Sequence, residues 1–528
     1  MADNETTGTG RPDWTARDDK SGLDPLGMQT TSVALYQRLL PGISNVTLRM
    51  RYYGFYVWLA RHYSKVVRDT SVDEWCRFVR RAEALYALVA QDCDDAGGVA
   101  GSRWAKRALA AESRSGIRFS RYTDRQPRQS QYLKQKFGAF GAAYGSQLEE
   151  IGLLTYLDKH EIPVPTSDTG ERLAKAFATA AGRAGNLFLE TVKSGVVQKS
   201  ELKRMARMLP SAIEEDSVER QLYEDILFGR VNAPDDGATP RSQTLRLVLR
   251  TAENLGYWPD RWEVRWVLYS AHGYTGEPLP AVPDAEEAHA FAWKVYHAND
   301  MLQVCYGALL KYLLDVLGGS PSGMSMGRLL SAVVPRITAE LGEDVLTWQE
   351  LVDSIGMAEN AWSDEPAAEW MLQDAITARA SDVALSTSEC AANALRLLAV
   401  LYARFIDQLE RVQSELPVLS RSIYLPSIVS ELNFFKARAG ESIGDILNRL
   451  LRERIIERHL WVAIQKLRSQ GDYTFLLETD DGKVRVRRKD SPSFTNPRLA
   501  PAISFLGDIY LVHDSGLTAA GKKIMEAA

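Results

Sequence analysis

Cysteine is scarce in this chain, with four residues in 528, at Cys76, Cys93, Cys305 and Cys390. They are too scattered for a disulfide scaffold, and without a CxxC pair they signal neither a zinc knuckle nor a thioredoxin-like redox site. Reduced thiols in a cytoplasmic protein are the expectation. A run of 18 or more apolar residues is also missing. Arg, Lys or Asp interrupts the longest apolar helix candidates, which a bilayer would penalise, so no membrane contact is expected. The opening segment, MADNETTGTGRPDWTARDDK, lacks the apolar stretch of a signal peptide and reads as a disordered tail over 1–20.

Signatures of common chemistries are absent as well. GxxxxGK[ST], GxGxxG after a strand, HExxH and GxSxG do not occur. The seven histidines, His62, His160, His272, His289, His297, His459 and His513, lack partners at metal-ligating spacing. His289 and His297 share a helix face but stand too far apart to hold one metal easily. The histidines therefore read as packing or surface residues, and the sequence calls for no cofactor and no metal. Nor is there a bulk excess of one charge: 63 basic against 68 acidic residues leave a net −5. Where the charges fall then matters more than their sum.

What remains is an ordinary globular composition, 45% apolar and 25% charged, arranged mostly with helical periodicity. In LRMRYYGFYVWLARHY, Tyr52, Phe55, Tyr56, Leu59 and Tyr63 recur at spacings of three and four, predicting a core-facing helix. A second helix is expected over 71–92, with Trp75, Phe78, Val79, Ala82, Leu85, Tyr86 and Val89 on one side. Further on, Met301, Leu302, Cys305, Tyr306, Leu309, Leu310, Leu313, Leu314 and Leu317 make a stripe broad enough for a bundle interior. Leu395, Leu398, Tyr402, Phe405 and Leu409 repeat the pattern. NAPDDGATPRS, at 232–242, reads as a flexible break.

Two segments carry strand and turn signals. In the first, about 130–183, a helix ending LEEIGLLTYLD leads to KHEIPVPTSDTGERLAKAF. Ile151, Leu153 and Leu154 would close a small core, Gly152 would relieve crowding at the helix end, and Thr166, Ser167 or Asp168 would cap the next helix beside Gly170. In the second, about 440–527, TFLLETDDGKVRVRRK predicts a hairpin turning at Asp481-Gly482, and FLGDIYLVHDSGLTAAGKKIMEA adds a strand, a turn from Thr518 to Gly521 and a last helix. This order resembles the later half of winged-helix folds, a broad pattern covering about a quarter of the chain. The fold class expected is mainly α: a multidomain helical protein with one or two small winged-helix-like α/β modules. The expected order is a helical region with a basic stretch over 21–130, a winged-helix-like and helical region over 131–231, a central bundle over 243–430 and a C-terminal module over 431–528.

Charge clusters in two places. Between Gly101 and Lys136 lie Arg103, Lys106, Arg107, Arg114, Arg118, Arg121, Arg125, Arg128, Lys134 and Lys136, against Glu112 and Asp124 alone. Phe119, Tyr122 and Tyr132 are interleaved. Such cations neutralise phosphates, and tyrosines can pack on sugars or exposed bases. The returning strand of the hairpin carries Lys483, Arg485, Arg487, Arg488 and Lys489, with Arg485 and Arg487 projecting from one face if Val484 and Val486 face the core. The candidate nucleic-acid-binding residues are Arg114, Arg118, Arg121, Arg125 and Arg128, with Lys483, Arg485, Arg487, Arg488 and Lys489. Gln147 and Arg172 are weaker candidates for base readout.

The reading that follows is a noncatalytic scaffold or adaptor in a DNA-associated complex, binding duplex DNA through basic surfaces. Transcriptional control, genome maintenance and antiviral host defence all fit such a role. A second reading is a protein-interaction or oligomerisation subunit without DNA contact. A third is a metal-dependent nuclease, for which Asp472, Glu478, Asp480, Asp481 and Lys483 offer acids and a lysine around the hairpin, although Asp481 and Lys483 straddle its glycine turn.

Overall fold

The aromatic helix is buried on all sides, not along one stripe. In the computed structural model, which describes residues 24–111, 116–124, 132–157, 160–231, 235–379, 385–420 and 425–526, it spans Arg51–His62, and every residue from Arg51 to Ala60 is buried. A helix apolar all round needs partners all round. Tyr52 packs on Tyr56, Tyr86 and Tyr144, and Phe55 on Tyr86 and Phe188, at ring-centroid separations of 4.5–5.8 Å. The Val72–Asp92 helix starts where its cap dictates, with Ser71 Oγ accepting from Glu74 N–H at 3.4 Å.

The chain divides into two compact units, each made of separated stretches. Unit 1 holds Met1–Leu35, Arg265–Ala281 and Phe291–Thr495; unit 2 holds Tyr36–Val264, Val282–Ala290 and Asn496–Ala528. Helices dominate both, and the strands among the described residues form three small antiparallel sheets. The chain is therefore a mainly helical, multidomain protein with small antiparallel sheets. The N-terminal tail expected at 1–20 lies outside the described residues. The turn-rich 232–242 segment overlaps a helix: Ala238–Leu255 begins inside it, with Pro240 in the first turn, where a missing N–H costs little.

Unit 1 is built around the long Asp284–Gly318 helix, whose residues from Phe291 on belong to it. The nine stripe residues from Met301 to Leu317 are each at most 2% exposed. By length and composition this helix could cross a bilayer, but 78% of its apolar window is buried, and it carries Asp300, Lys311 and Asp315. Leu395, Leu398 and Phe405 are buried on the Ser388–Phe405 helix as their spacing requires. The sheet of unit 1 has the strand order Met324–Ser325, Lys483–Val486, Leu477–Asp480. Its hairpin turns at Asp481 (φ 49°) and Gly482 (φ 67°), as the Asp-Gly pair predicts, since a tight turn of this hand needs positive φ at both positions.

Unit 2 contains one local device twice. After the Gly145–Glu150 helix, Leu154–Tyr156 pairs with Pro163–Pro165; after the Leu499–Asp508 helix, Val512–His513 pairs with Gly516–Leu517. Each hairpin runs into a threonine whose hydroxyl has two jobs. Thr166 Oγ1 donates to Gly152 O at 2.8 Å and accepts from Gly170 N–H at 3.0 Å. Thr518 Oγ1 donates to Tyr510 O at 2.7 Å and accepts from Gly521 N–H at 3.1 Å. Both glycines are required by contact: a Cβ on Gly170 would sit 2.3 Å from Leu153 O, and one on Gly521 2.4 Å from Leu511 O. The hairpin leading into the Thr518 turn is thus Val512–Leu517, whereas the 477–486 hairpin joins Met324–Ser325 in unit 1.

Three of the histidines are core residues. In unit 1, His459 Nδ1–H donates to Pro25 O at 3.0 Å while Nε2 accepts from Leu476 N–H at 2.9 Å, which fixes the neutral tautomer. Burial pushes its pKa down to about 4. The unfolded chain takes up a proton as pH falls below about 6.5 and the folded chain does not. Stability contributed by neutral His459 is therefore present above that pH and lost as pH falls toward 4, by roughly 2 kcal/mol at about pH 5. Urea unfolding at pH 7.5 and 5 should show part of this acid loss missing in His459→Gln, an outcome incompatible with equal slopes in the two proteins.

Candidate nucleic-acid interface

The basic stretch belongs to unit 2 and is held in place from beneath by buried arginines and aromatics. Arg80 sits on the Val72–Asp92 helix, and its guanidinium donates to the carbonyls of Thr123, Leu133 and Gln135. One planar fork thus ties Thr123 to Leu133 and Gln135. Glu83, one turn along, accepts from Ala139 N–H at 2.9 Å, Phe140 N–H at 2.7 Å and Tyr56 Oη–H at 2.9 Å. Burial raises its pKa to about 7.

The aromatics of the stretch face inward. Trp104, on the Ser102–Ala110 helix, meets Tyr122 and Tyr132 edge-on at 5.5 and 5.3 Å, and Tyr132 Oη–H donates to Ala100 O at 3.0 Å. Gly101 (φ 79°) has no room for a Cβ, which would lie 2.1 Å from the Tyr132 ring. Phe119, Tyr132 and Trp104 are buried and Tyr122 is half-buried. The tyrosines expected to pack on bases instead form a small core under the cations, because a short helix and loop need an apolar anchor to order.

That anchor turns the cations outward. Arg103, Lys106 and Arg107, at i, i+3 and i+4, share one face of their helix and are exposed. Arg118 and Arg121, flanking Phe119, are exposed too. None of these five makes an ion pair among the described residues. Of the two acids in the stretch, Asp124 is taken by Arg81, a residue outside it, which holds the Asp124 carboxyl below its ordinary range through hydrogen bonding and charge against the opposing effect of burial. Arg114, Arg125, Arg128 and Glu112 lie outside the described residues.

A backbone bridge widens this face beyond the stretch itself. Ile117 N–H donates to Val197 O at 2.8 Å and Val197 N–H to Ile117 O at 3.0 Å. Arg118 is thereby set beside a segment whose Lys193, Lys203 and Arg204 are exposed. Their charge runs are unremarkable in sequence, and only the bridge links that segment to the basic stretch. Gln147 is buried, and Arg172 pairs with Asp168 at 3.9 Å, so neither presents a free side chain for base readout.

The hairpin in unit 1 differs from the sequence expectation of an open cationic strand. Its register places Glu478 opposite Arg485 and Asp480 opposite Lys483, so alternation puts acids and arginines on the same face. Arg485 pairs with Asp480 at 2.9 Å, Arg487 with Glu478 at 2.5 Å and Lys489 with Asp315 at 2.6 Å. Val484 is buried as expected, while Val486 is half-buried. Arg488 is half-buried with partners of its own. Lys483 is exposed and unpaired among the described residues. Of the hairpin acids considered for a nuclease, Glu478 and Asp480 are likewise engaged by arginines. Among the described residues no three His, Cys, Asp or Glu side chains converge as a metal site would. Comparison of the chain with protein-family models, with curated proteins and with solved structures finds no match.

Proposed function

We propose that this chain is a noncatalytic scaffold that associates with duplex DNA through the backbone phosphates. The carrying observation is the outward face of unit 2, where Arg103, Lys106, Arg107, Arg118 and Arg121 are exposed and without ion pairs among the described residues, beside a small core of Trp104, Tyr122 and Tyr132. Unpaired cations keep their full counterion-release energy, whereas cations already matched to carboxylates, as on the 477–486 hairpin, give up part of it. Inward-facing aromatics supply no stacking platform for single-stranded bases. Such a surface contacts phosphates and positions a duplex without reading its sequence.

The test is the salt dependence of binding to a random-sequence duplex. With five phosphate contacts, the slope of log K against log salt should be about −4 to −5. Reversing Arg107, Arg118 and Arg121 together to Glu should cut affinity more than tenfold at low salt and flatten the slope by about 3. Reversing Arg485 and Arg487 should do much less. No binding at low salt, or a slope unchanged by the triple reversal, ends the proposal.

A further inference from the structure

The sequence has a second charge anomaly, of opposite sign: residues 337–378 contain ten Asp and Glu and no Lys or Arg. In unit 1 this segment surrounds a cavity of about 420 Å³ formed by the end of the Met326–Leu341 helix, the Trp348–Ile355 helix, the start of the Glu369–Arg379 helix and Arg396. Its floor is apolar, with Leu341, Leu351 and Leu372 buried beneath it. Large apolar side chains stand exposed within two residues of lining positions along the chain: Leu346 at 64%, Met357 at 50% and Met371 at 36%. Exposed apolar groups gathered around a cavity mark an interaction site more often than scattered ones do, and methionine suits surfaces that adapt to a partner.

The charges say what kind of partner. Some acids have structural work: Glu350 closes a capping box with Thr347, and Glu369 is buried against Tyr269 and Arg404. Glu343, Asp344, Glu359, Glu365 and Asp374 do not, being exposed and without ion pairs among the described residues. The one cation in the wall, Arg396, is occupied by Asn393 Oδ1 at 2.7 Å and by Glu340 O. The site therefore combines an apolar hole with a negative rim.

We infer that this pocket docks a basic amphipathic helix of a partner protein. One apolar side chain of that helix fills the cavity, its neighbours cover Leu346, Met357 and Met371, and its lysines or arginines face the free carboxylates, the helix-in-groove mode with charge complementarity setting specificity. The inference does not depend on the nucleic-acid reading, since it uses other residues in the other unit.

The probe is a fluorophore-labelled 14-residue helical peptide of leucine and lysine, titrated into the full-length protein, with a leucine–glutamate peptide as its counterpart. The lysine peptide should bind with micromolar Kd, at least tenfold tighter than the glutamate peptide, and more weakly as salt rises. Met357→Asp, and separately Glu343→Lys with Asp344→Lys, should each weaken it at least tenfold. All three positions are exposed, so circular dichroism should match the parent. Equal binding of the two peptides, or affinity unchanged in both variants, overturns the inference. So does self-association that the same substitutions abolish, which gives the face to a second copy. Displacement of a fluorescent fatty acid by laurate without peptide binding gives the pocket to a small amphiphile and also overturns it.

Discussion

Arg51→Met should lower the unfolding free energy of unit 2 by about 3–5 kcal/mol, the usual cost of stranding one member of a buried ion pair. Arg51 and Glu219 are both essentially inaccessible to solvent. Nε and Nη2 of the arginine each donate to the Glu219 carboxylate at 2.9 Å, and Nη1 donates to the carbonyls of Arg207 and Leu209 at 2.9 and 2.7 Å. Tyr223 Oη–H adds a bond to Glu219 at 2.8 Å. Methionine fills the space but leaves a carboxylate with one donor and takes a donor from each of two carbonyls, of which Leu209 O keeps Ala212 N–H at 3.0 Å. Lysine at the same position keeps the charge, yet a single ammonium cannot span four acceptors, so Arg51→Lys should fall between parent and Arg51→Met. Pairing Arg51→Met with Glu219→Met should restore only part of the loss, since the carbonyls still lack the arginine's donors. Urea unfolding followed by near-ultraviolet signal from the surrounding tyrosines measures all three. A loss under about 1 kcal/mol for Arg51→Met would show that the pair is not sealed from water.

That pair marks the boundary of what the amino-acid order could tell. Helix 72–92 was legible from its periodicity, and the 477–486 hairpin because Asp481-Gly482 has few other conformations open to it. The same turn sets acids and arginines on one face: with the register fixed, Glu478 stands opposite Arg485 and Asp480 opposite Lys483, and the ion pairs Asp480–Arg485 and Glu478–Arg487 are the diagonals. The strand's cations read as open only while their cross-strand acids are left out of account. By contrast, nothing local links Ile117 to Val197, so the bridge between them needed the tertiary structure. Arg51 is a further case. In LRMRYYGFYVWLARHY it reads as a polar residue at a helix start, and only the position of Glu219 makes it a core residue. The acidic run around the unit 1 pocket was plain in the composition, but its meaning depends on Leu351 and Leu372 forming an apolar floor.

In unit 1 the corresponding centre is Asp300, and here the two ways of breaking the pair should differ. Arg265 Nη2 donates to Asp300 Oδ2 at 2.7 Å, Tyr296 Oη–H donates to it at 3.3 Å, and Thr495 donates through both N–H and Oγ1–H. Arg265 also donates to His297 Nδ1 and to Thr495 O and lies over the Phe494 ring. Burial, with Arg265 second, keeps His297 neutral by lowering its pKa. Burial also raises the Asp300 carboxyl despite the opposing pull of Arg265. In Asp300→Asn the guanidinium stays buried with neutral acceptors only, and it cannot shed its proton. The expected loss is about 3–5 kcal/mol and nearly independent of pH between 5 and 8. In Arg265→Met the stranded group is a carboxyl, which escapes its penalty by binding a proton. Its folded pKa then rises further above that of the unfolded chain, so the folded state holds the extra proton and stability falls as pH climbs through that interval. Arg265→Met should therefore be the milder variant at about pH 5 and approach Asp300→Asn near pH 8. Unfolding curves at the two pH values decide it, and a pH-independent gap between the variants would mean that water reaches Asp300.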